Sequence, residues 1–182
     1  FFIDLINDRN GTLIFHQQND EGAKSEVLRP AVTSLMLTMF ESVTKEGTAS
    51  AILRNKGLSN LPCGGKTGTG NDYKDAWFIG FTPQVTAGVW VGFDNKIVHF
   101  TTSDGQGGRA AAPIWGRFMK SIYEDRDMAL PPSTFGQPEG IERDTICAET
   151  KKIATPYCPV RVEEVFNKKY PPGKCPRHTS WR

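Results

Sequence analysis

The segment Gly64-Gly65-Lys66-Thr67-Gly68-Thr69-Gly70 combines one cation, two hydroxyls and four glycines. Glycines let a backbone approach a ligand closely, lysine supplies a point charge, and threonines supply short, oriented hydrogen-bond donors. This composition indicates a backbone wall that holds a small anion, either a phosphate or a carboxylate. A glycine-rich hairpin edge with a chance Lys-Thr pair is the alternative without a ligand.

Phosphate binding by a P-loop is disfavoured by the spacing. A P-loop has a glycine five positions before its Gly-Lys pair, and Asn60 stands at that position. A P-loop also runs directly into a helix whose N-terminus faces the phosphates. Here the chain continues Gly70-Asn71-Asp72-Tyr73, which is turn-rich and then strand-like. We therefore predict a sheet edge that holds a carboxylate.

Two alternating segments after this stretch predict an antiparallel hairpin. Trp77, Ile79 and Phe81 alternate with Phe78 and Gly80, and a turn at Thr82-Pro83-Gln84 follows. The second strand alternates in the same way, with Ala87, Val89, Val91 and Phe93 against Gly88, Trp90 and Gly92. Together with the Lys-Thr-Gly stretch, these segments predict three consecutive strands of one sheet. Gly80, Gly88 and Gly92 are expected to share one face and to leave room for a helix.

The segments before the sheet predict a hairpin and a helix. Residues 1–6 and 12–15 flank an Asn10-Gly11 pair that suits a type I′ turn. A helix is predicted from Pro30 to Lys45, with Gly47 as its cap. Its apolar positions form one stripe, in which the methionines are expected to fill the core: Val32, Leu35, Met36, Met39, Phe40 and Val43. A second helix is predicted from about Ala111, with an apolar line of Ala111, Trp115, Phe118 and Ile122.

Charge and composition divide the chain near residue 127. Beyond Asp127 a Pro- and Gly-rich linker begins, so we predict one domain segment at residues 1–127 and a linker plus Cys-containing tail at 128–182. Residues 151–182 hold eight Lys and Arg against two Glu. That balance could meet nucleic acid, anionic lipid or an acidic polymer, but a solvated surface is the simpler interpretation. The chain opens without a methionine in a strand-like segment, so we expect it to be a piece of a longer polypeptide.

The ordered motifs resemble the class A penicillin-binding proteins, the bifunctional peptidoglycan synthases. The matching segments run Gly65-Lys66-Thr67-Gly68-Thr69, then residues 71–83 (NDYKDAWFIGFTP), then residues 88–92 (GVWVG). Residues 107–115 (GGRAAAPIW) and 47–49 (GTA) extend the resemblance, which covers roughly residues 1–125. The family implies an α+β fold, in which a five-stranded antiparallel sheet is flanked by helices in the β-lactamase-like serine transpeptidase arrangement. Only part of that domain is expected in this chain.

The resemblance implies a D,D-transpeptidase that uses an acyl-serine mechanism, cross-links D-Ala-D-Ala stem peptides and binds penicillin. Two of the family's three active-site elements are missing: neither Ser-x-Asn nor Ser-x-Asp occurs. The one Ser-x-x-Lys, at Ser42 and Lys45, lies in the last turn of the first helix, so Ser42 is interpreted as a surface serine. We expect the nucleophile upstream of this chain or on a companion chain.

The resemblance also assigns roles to the visible site residues. Lys66 would add positive potential, and the N–H of Thr69 would be an oxyanion donor, which makes Lys66 and Thr69 the catalytic candidates. Thr67, Gly68 and Thr69 would bind the substrate, with the two hydroxyls on its terminal carboxylate and Gly68 leaving the edge bare for an added strand. Asp75 and Arg109 are expected to be structural. The implied partners are stem peptides and β-lactams. No cofactor, metal or nucleic acid is expected.

The tail cysteines suggest either a disulfide or half of a zinc site. Structural zinc favours closely spaced ligand pairs, and the series Cys147, Cys158, Cys175, His178 offers only one such pair. Because the family works outside the cytoplasm, at the periplasmic face of the inner membrane, a disulfide between Cys158 and Cys175 is expected, with Cys147 left open. Membrane anchoring is expected only through a segment outside this chain.

Two other functions stay open. A β-lactam sensor or binding module would be acylated without cross-linking peptides, and a nucleotide-binding protein would require Lys66 for ATP binding. The proximity of Cys63 to the Lys-Thr-Gly strand does not make its thiol reactive, so an inert core cysteine is expected.

Overall fold

The computed structural model describes residues 5–16, 28–95, 97–128, 130–131, 133–136 and 139–180. Its elements in chain order are β1 (Leu5–Asn7), β2 (Leu13–His16), α1 (Pro30–Lys45), α2 (Ser50–Lys56), β3 (Gly64–Thr69), β4 (Asp75–Phe81), β5 (Thr86–Gly92), α3 (Gly107–Ala110), α4 (Ala112–Glu124), β6 (Ile141–Cys147) and β7 (Arg161–Asn167). The predicted α+β class, an antiparallel sheet flanked by helices, is confirmed.

The central sheet has the strand order β3-β4-β5, with both pairs antiparallel. Lys66 lies opposite Ile79 and Thr67 opposite Phe78, while Ile79 lies opposite Gly88 on the other side. The three consecutive strands predicted from alternation and turn chemistry are therefore present.

The core of this segment lies on the face of the sheet that α4 covers. Phe78 is fully buried and meets the ring of Trp115 edge-on, with 5.3 Å between centroids. Gly80 makes that contact possible, because a Cβ there would come within 2.6 Å of the Trp115 ring. The indole N–H of Trp115 donates to the Gly80 carbonyl oxygen at 3.2 Å. The contact between the Phe78 and Trp115 rings and this hydrogen bond thus hold α4 against the sheet.

The expectation that three glycines share one face is wrong. Gly80 pairs with Ala87, whereas Gly88 pairs with Ile79, so Gly80 and Gly88 point to opposite faces. The helix that uses the space at Gly80 is α4, not α1. On the opposite face, the Trp90 ring lies over Gly92, where an added Cβ would meet it at 2.6 Å.

The bounds predicted for α1 are confirmed, but its buried face is smaller than its apolar stripe. Thr44 is its buried residue, and its hydroxyl donates to the Cys63 carbonyl at 2.8 Å. Phe40 packs edge-on against Phe81 at 5.9 Å. Met36 and Met39 are 41% and 60% exposed, so the prediction that they fill the core is wrong. The C-terminal half of α1 makes the contact with the sheet, and the apolar stripe continues beyond it.

At α4, three of the four residues predicted for the apolar line are buried, namely Ala111, Trp115 and Ile122, and the prediction for Phe118 is wrong. Ala112, Trp115, Gly116, Met119 and Ile122 are buried, while Phe118 is 49% exposed. The register of the buried line follows spacings of three and four residues, and Met119 rather than Phe118 faces the sheet.

The N-terminal hairpin forms a separate two-stranded sheet of β1 and β2. The predicted hairpin is present over Leu5–His16, and residues 1–4 of the predicted first strand lie outside the described residues. The side chains of both hairpin strands are exposed, so none of them is buried in a contact with β5.

The tail contains a further antiparallel hairpin of β6 and β7, in which Ile141 pairs with Asn167 and Cys147 with Arg161. Both of its strands contact α1. The division of the chain at residue 127 stays a prediction. Among the described residues, the helices are too short or too polar to cross a lipid bilayer.

Candidate active-site strand

The strand β3 lies at the edge of its sheet, and its outer side has no strand partner among the described residues. The N–H of Gly70 donates to the Asp75 carbonyl at 2.7 Å. Because hydrogen-bonded and outward-facing residues alternate along an antiparallel strand, the backbone groups of Thr67 and Thr69 point away from β4. The edge therefore offers backbone donors and acceptors to an added peptide strand.

The hydroxyl of Thr69 is held by the start of α3. Its oxygen accepts a hydrogen bond from the Gly107 N–H at 3.1 Å. Gly107 packs so tightly that a Cβ would come within 2.3 Å of the Trp77 carbonyl oxygen and 2.4 Å of the Gly68 carbonyl oxygen. The accepted bond orients the Thr69 hydroxyl and leaves its proton available for an acceptor such as a carboxylate.

The hydroxyl of Thr67 lies 3.1 Å from the hydroxyl of Thr48, which follows α1. A Cβ on Gly108 would come within 2.5 Å of the Thr48 carbonyl oxygen, so α3 also packs against this segment. The sequence placed Thr48 in a matching motif but assigned it no role. Thr48 and Gly107 are the site residues that sequence reasoning missed, and their only sequence signal was membership of the matching segments.

The amine of Lys66 lies on the exposed part of the strand and donates to the Thr67 carbonyl oxygen at 2.8 Å. Since that carbonyl faces the free edge, the amine lies at the edge as well. The structure thus brings the predicted residues Lys66, Thr67, Gly68 and Thr69 together along one strand edge.

The face of the sheet opposite α4 is largely open. Trp77, Ile79 and Trp90 are 46%, 51% and 43% exposed there. Trp90 donates its indole N–H to the Asp75 carboxylate at 2.8 Å, so Asp75 links β4 to β5. This contact agrees with the structural role expected of Asp75, although it lies at the surface.

Two further residues from the sequence analysis lie outside the site. Arg109 donates to the Ser103 hydroxyl at 2.7 Å and lies 3.5 Å from the Asp104 carboxylate, so it fixes the loop before α3. Ser42 is exposed and donates to the Met39 carbonyl at 2.7 Å, while Lys45 pairs with Glu41 instead. This Ser-x-x-Lys sequence therefore lacks the contact between serine and lysine that a nucleophile would need.

The expected disulfide between Cys158 and Cys175 is not formed. All four cysteines are free and buried. The tail fold instead gathers Cys147, Cys158, Cys175 and His178, whose ligand atoms lie within 4.8 Å of one another. Spacing along the chain was misleading, because the hairpin and the bridge between Ile153 and Lys174 place distant residues side by side.

The thiols in the two segments differ in their electrostatics. Burial raises the pKa of Cys63, which agrees with an inert core thiol. At Cys175, burial acts in the same direction but is outweighed by hydrogen bonds from the Thr150 hydroxyl and from the His178 and Arg177 backbone, so its pKa is lowered to about 6. Hydrogen bonds to sulfur thus favour the thiolate at Cys175.

Comparison with protein families gives two matches, one to each part of the chain. The model described as the penicillin-binding protein transpeptidase domain matches residues 1–120. The model described as the penicillin-binding protein 1A C-terminal domain matches residues 137–179.

Individual relatives agree with these matches. Penicillin-binding protein 1A of Aquifex aeolicus is 38% identical over 135 residues, which covers 72% of this chain and 17% of that protein. The protein of the same name from Pseudomonas aeruginosa is 36% identical over 140 residues, covering 76% of this chain and 16% of the relative. The chain therefore spans about a fifth or less of the length of these curated relatives.

A solved structure supports the fold. The crystal structure of penicillin-binding protein 1A from Haemophilus influenzae superposes with a TM-score of 0.61 at 22% identity, over 93% of this chain and 29% of that chain. With a transpeptidase-domain match over most of its length, the chain belongs to the penicillin-binding protein transpeptidase family, in its class A branch.

Proposed function

We propose that this chain supplies the Lys-Thr-Gly wall of a peptidoglycan D,D-transpeptidase. The observation that carries the proposal is the edge position of β3. Lys66 and the outward-facing Thr67 and Thr69 lie along the side of this strand that has no strand partner in the described part of the chain. Membership of the transpeptidase family supports the same activity. The nucleophilic serine is expected in another part of the same polypeptide or in a companion chain.

The substrate would be the D-Ala-D-Ala end of a stem peptide, or a β-lactam in its place. Its terminal carboxylate would accept hydrogen bonds from the hydroxyls of Thr67 and Thr69, and the Lys66 amine would add positive potential. The peptide would lie along β3 as an added strand, because Gly68 presents no side chain at that edge.

The chemistry of the proposed reaction is acyl transfer in two steps. The serine oxygen would attack the carbonyl of the penultimate D-alanine, and the N–H of Thr69 would stabilise the oxyanion that develops. Collapse of this intermediate would release the terminal D-alanine as an amine and leave an acyl-serine ester. The amine of a second stem peptide would then attack the ester, form the cross-link and return the proton to the serine.

The open face of the central sheet is where we place the missing part of the domain. It carries the exposed side chains of Trp77, Ile79 and Trp90, next to Lys66. Apolar surface of this kind at the side of a reactive strand is suited to burial against the segment that carries the serine. Peptidoglycan is cross-linked outside the cytoplasm, so we place the site at the periplasmic face of the inner membrane, anchored by a segment outside this chain.

The test uses the polypeptide that carries both this chain and the serine. Lys66→Ala is expected to slow acylation by fluorescent penicillin by about a hundredfold or more, which is the scale of losing one preorganised electrostatic contact. Thr67→Val and Thr69→Val are each expected to slow it by about 10- to 100-fold, since a hydrogen bond to a charged group contributes about 1.5–3 kcal/mol.

The matched controls are Lys120→Ala on α4 and Thr86→Val on β5, both exposed and outside β3. They should label at the wild-type rate. Labelling that is unchanged in Lys66→Ala would refute the proposal. Labelling without cross-linked product from lipid II would favour the β-lactam sensor, and ATP binding that depends on Lys66 would favour the nucleotide-binding alternative.

A further inference from the structure

The tail builds its core from potential metal ligands. Among the described tail residues, the buried apolar side chains are Ile146, Cys147, Cys158 and Cys175. Ala154 packs against the three cysteines, and the ring of His178 lies beside them. A module of about 40 residues rarely buries enough apolar surface to fold without a disulfide, a metal or a partner. The chemistry of these buried cysteine and histidine side chains therefore determines how the tail is stabilised.

The four ligand atoms lie close together. The Nδ1 atom of His178 lies 3.4 Å from the Cys147 sulfur and 3.4 Å from the Cys175 sulfur. All four ligand atoms lie within 4.8 Å of one another. Zinc bonds of about 2.3 Å to sulfur and about 2.0–2.1 Å to nitrogen place tetrahedral S and N ligands about 3.5 Å apart. The observed separations leave space for one ion at the centre.

The turns around the cluster direct hydrogen-bond donors at the sulfurs. After Cys147, the backbone N–H groups of Glu149 and Thr150 point at its sulfur. After Cys175, those of Arg177 and His178 do the same. These two turns place donors at the same offsets, two and three residues beyond the cysteine. Donors of this kind stabilise sulfur that carries negative charge, as metal-bound thiolate does.

The remaining sulfur is also supported, because the Thr155 N–H donates to Cys158 at 3.3 Å. The Thr150 hydroxyl donates to Cys175 at 3.3 Å. Every sulfur of the cluster thus receives at least one hydrogen bond from a residue that is not a ligand.

The imidazole of His178 is oriented by a carboxylate. Its Nε2 atom lies 3.2 Å from the Glu149 carboxylate, while its Nδ1 atom faces the sulfurs. Arg177 pairs with the other carboxylate oxygen of Glu149. Metal-binding histidines usually donate their second ring N–H to a carboxylate or carbonyl, which fixes both the tautomer and the ring orientation. This carboxylate contact is the outer shell expected of a metal ligand.

We propose that Cys147, Cys158, Cys175 and His178 form a structural zinc site that holds the tail together. Three thiolates and one neutral imidazole complete a four-coordinate shell, so no position is left for a substrate or water. On binding, the three thiols release their protons to solvent and the zinc ion keeps its oxidation state. The site is separate from β3 and does not rest on the proposed transpeptidase activity.

A disulfide accounts for less of this geometry. It would join two of the three sulfurs and leave the third as a free thiol, so it would not account for three sulfurs and one imidazole nitrogen gathered around one point. A single ion satisfies all four groups at once.

The first experiment measures metal in the full chain, purified with reductant and dialysed. We expect about one zinc ion per chain by elemental analysis. Replacement by Co²⁺ should give the intense visible absorption of tetrahedral cobalt together with thiolate-to-cobalt charge transfer. A chain prepared without reductant that lacks zinc and, after unfolding, is alkylated on two fewer cysteines than the reduced chain would contain a disulfide and overturn the proposal.

Variants then test the ligands by competition with a chelator of known affinity. Cys175→Ser and His178→Ala are expected to weaken zinc binding by at least about 100-fold, because each removes a ligand. The controls Cys63→Ala and His99→Ala change the same residue types outside the cluster and should bind as the wild type does. Zinc binding that is retained in both ligand variants would overturn the proposal.

A surface variant keeps the test decisive where a ligand variant fails to fold. Glu149 is 48% exposed, so Glu149→Gln changes the partner of His178 without opening the core. It is expected to weaken zinc binding by about 10- to 100-fold, whereas Glu163→Gln on β7 should not. Equal zinc affinity in the two glutamine variants would refute the assigned role of Glu149 and, with it, the orientation of His178 toward a metal.

Discussion

The sheet segment and the tail both bury cysteine, yet the side chains around the thiols differ. Cys63 belongs to a cluster of apolar residues that includes Phe78, Trp115 and Met119. In the tail, the three cysteines are themselves the cluster, with Ala154 packed against them. One core is stabilised by removing large apolar side chains from water. The other contains little such surface and needs a different source of stability.

The difference follows from the size of each unit. Helices and a three-stranded sheet can enclose a tryptophan and a phenylalanine between two layers. The tail hairpin contacts α1 but encloses very little by itself, and two-stranded units are marginal in water. The free energy of metal binding does not depend on the apolar area buried. A small hairpin can therefore be stabilised by a bound metal ion, whereas a larger unit is stabilised by buried aromatic side chains.

Metal removal should separate the two cores most clearly. With a zinc chelator, the amides of β6 and β7 are expected to lose protection from hydrogen exchange almost completely, because the proposed ion holds their core. The amides of β3, β4 and β5 should stay protected, since Phe78 and Trp115 do not depend on the metal. Exchange measured by mass spectrometry tests this, with a calcium-selective chelator as control. Equal loss of protection in both regions would contradict the comparison.

The converse change is Trp115→Ala, which disrupts only the apolar core of the sheet segment. Trp115 is 1% exposed and also donates a hydrogen bond to Gly80. The variant should lower the free energy of unfolding of the sheet segment by about 3–5 kcal/mol, measured by urea denaturation followed by the remaining tryptophans.

Trp77→Ala is the matched control for that change. Trp77 is 46% exposed on the open face, so its loss should cost about 1 kcal/mol. The cobalt spectrum of the tail should be the same in both variants. A tail spectrum that changed with Trp115 would show that the two cores are coupled.

The features that could be predicted from the sequence are those that depend on residues close together in the chain. The strands at Asp75–Phe81 and Thr86–Gly92 follow from alternation around a turn, and the bounds of α1 follow from Pro30 and the Lys45-to-Gly47 end. The site strand was found because a lysine, two threonines and glycines are adjacent in the chain.

What the sequence could not supply depends on which elements meet in space. Met36 and Met39 fit an apolar stripe, but the sheet covers only one end of α1. Phe118 and Met119 are both apolar neighbours, and only the position of α4 on the sheet decides that Met119 is buried. Thr48 reaches Thr67 across 19 residues of sequence, through the packing of α1 and α3. The cysteine cluster likewise requires the tail topology.

A smaller effect is expected where α3 meets the site strand. In Gly107→Ala the new methyl group would collide with the carbonyl oxygens of Trp77 and Gly68, so α3 must move and its bond to Thr69 must lengthen. Overpacking of this kind costs about 1–3 kcal/mol. In the polypeptide that carries the serine, penicillin acylation should also slow, while zinc binding in the tail stays unchanged.

Gly136→Ala is the control for that variant, because a Cβ there meets no atom within 4 Å. Its free energy of unfolding should lie within about 0.5 kcal/mol of the wild type. Acylation that is normal in Gly107→Ala would refute the positioning of Thr69 by α3.

The smallest expected effect is at Cys63, and it compares the same residue type in the two cores. Burial raises the pKa of the Cys63 thiol, so the folded state holds this proton more tightly than the unfolded state. The resulting stability is fully present below the unfolded pKa and is lost as pH rises through the folded pKa. At pH 8, iodoacetamide should therefore leave Cys63 unmodified both with and without a zinc chelator. The tail cysteines should react once the chelator is added, because the loss of the metal exposes them. Mass spectrometry of the alkylated peptides distinguishes the two groups, and modification of Cys63 on chelation alone would mean that its core depends on the tail.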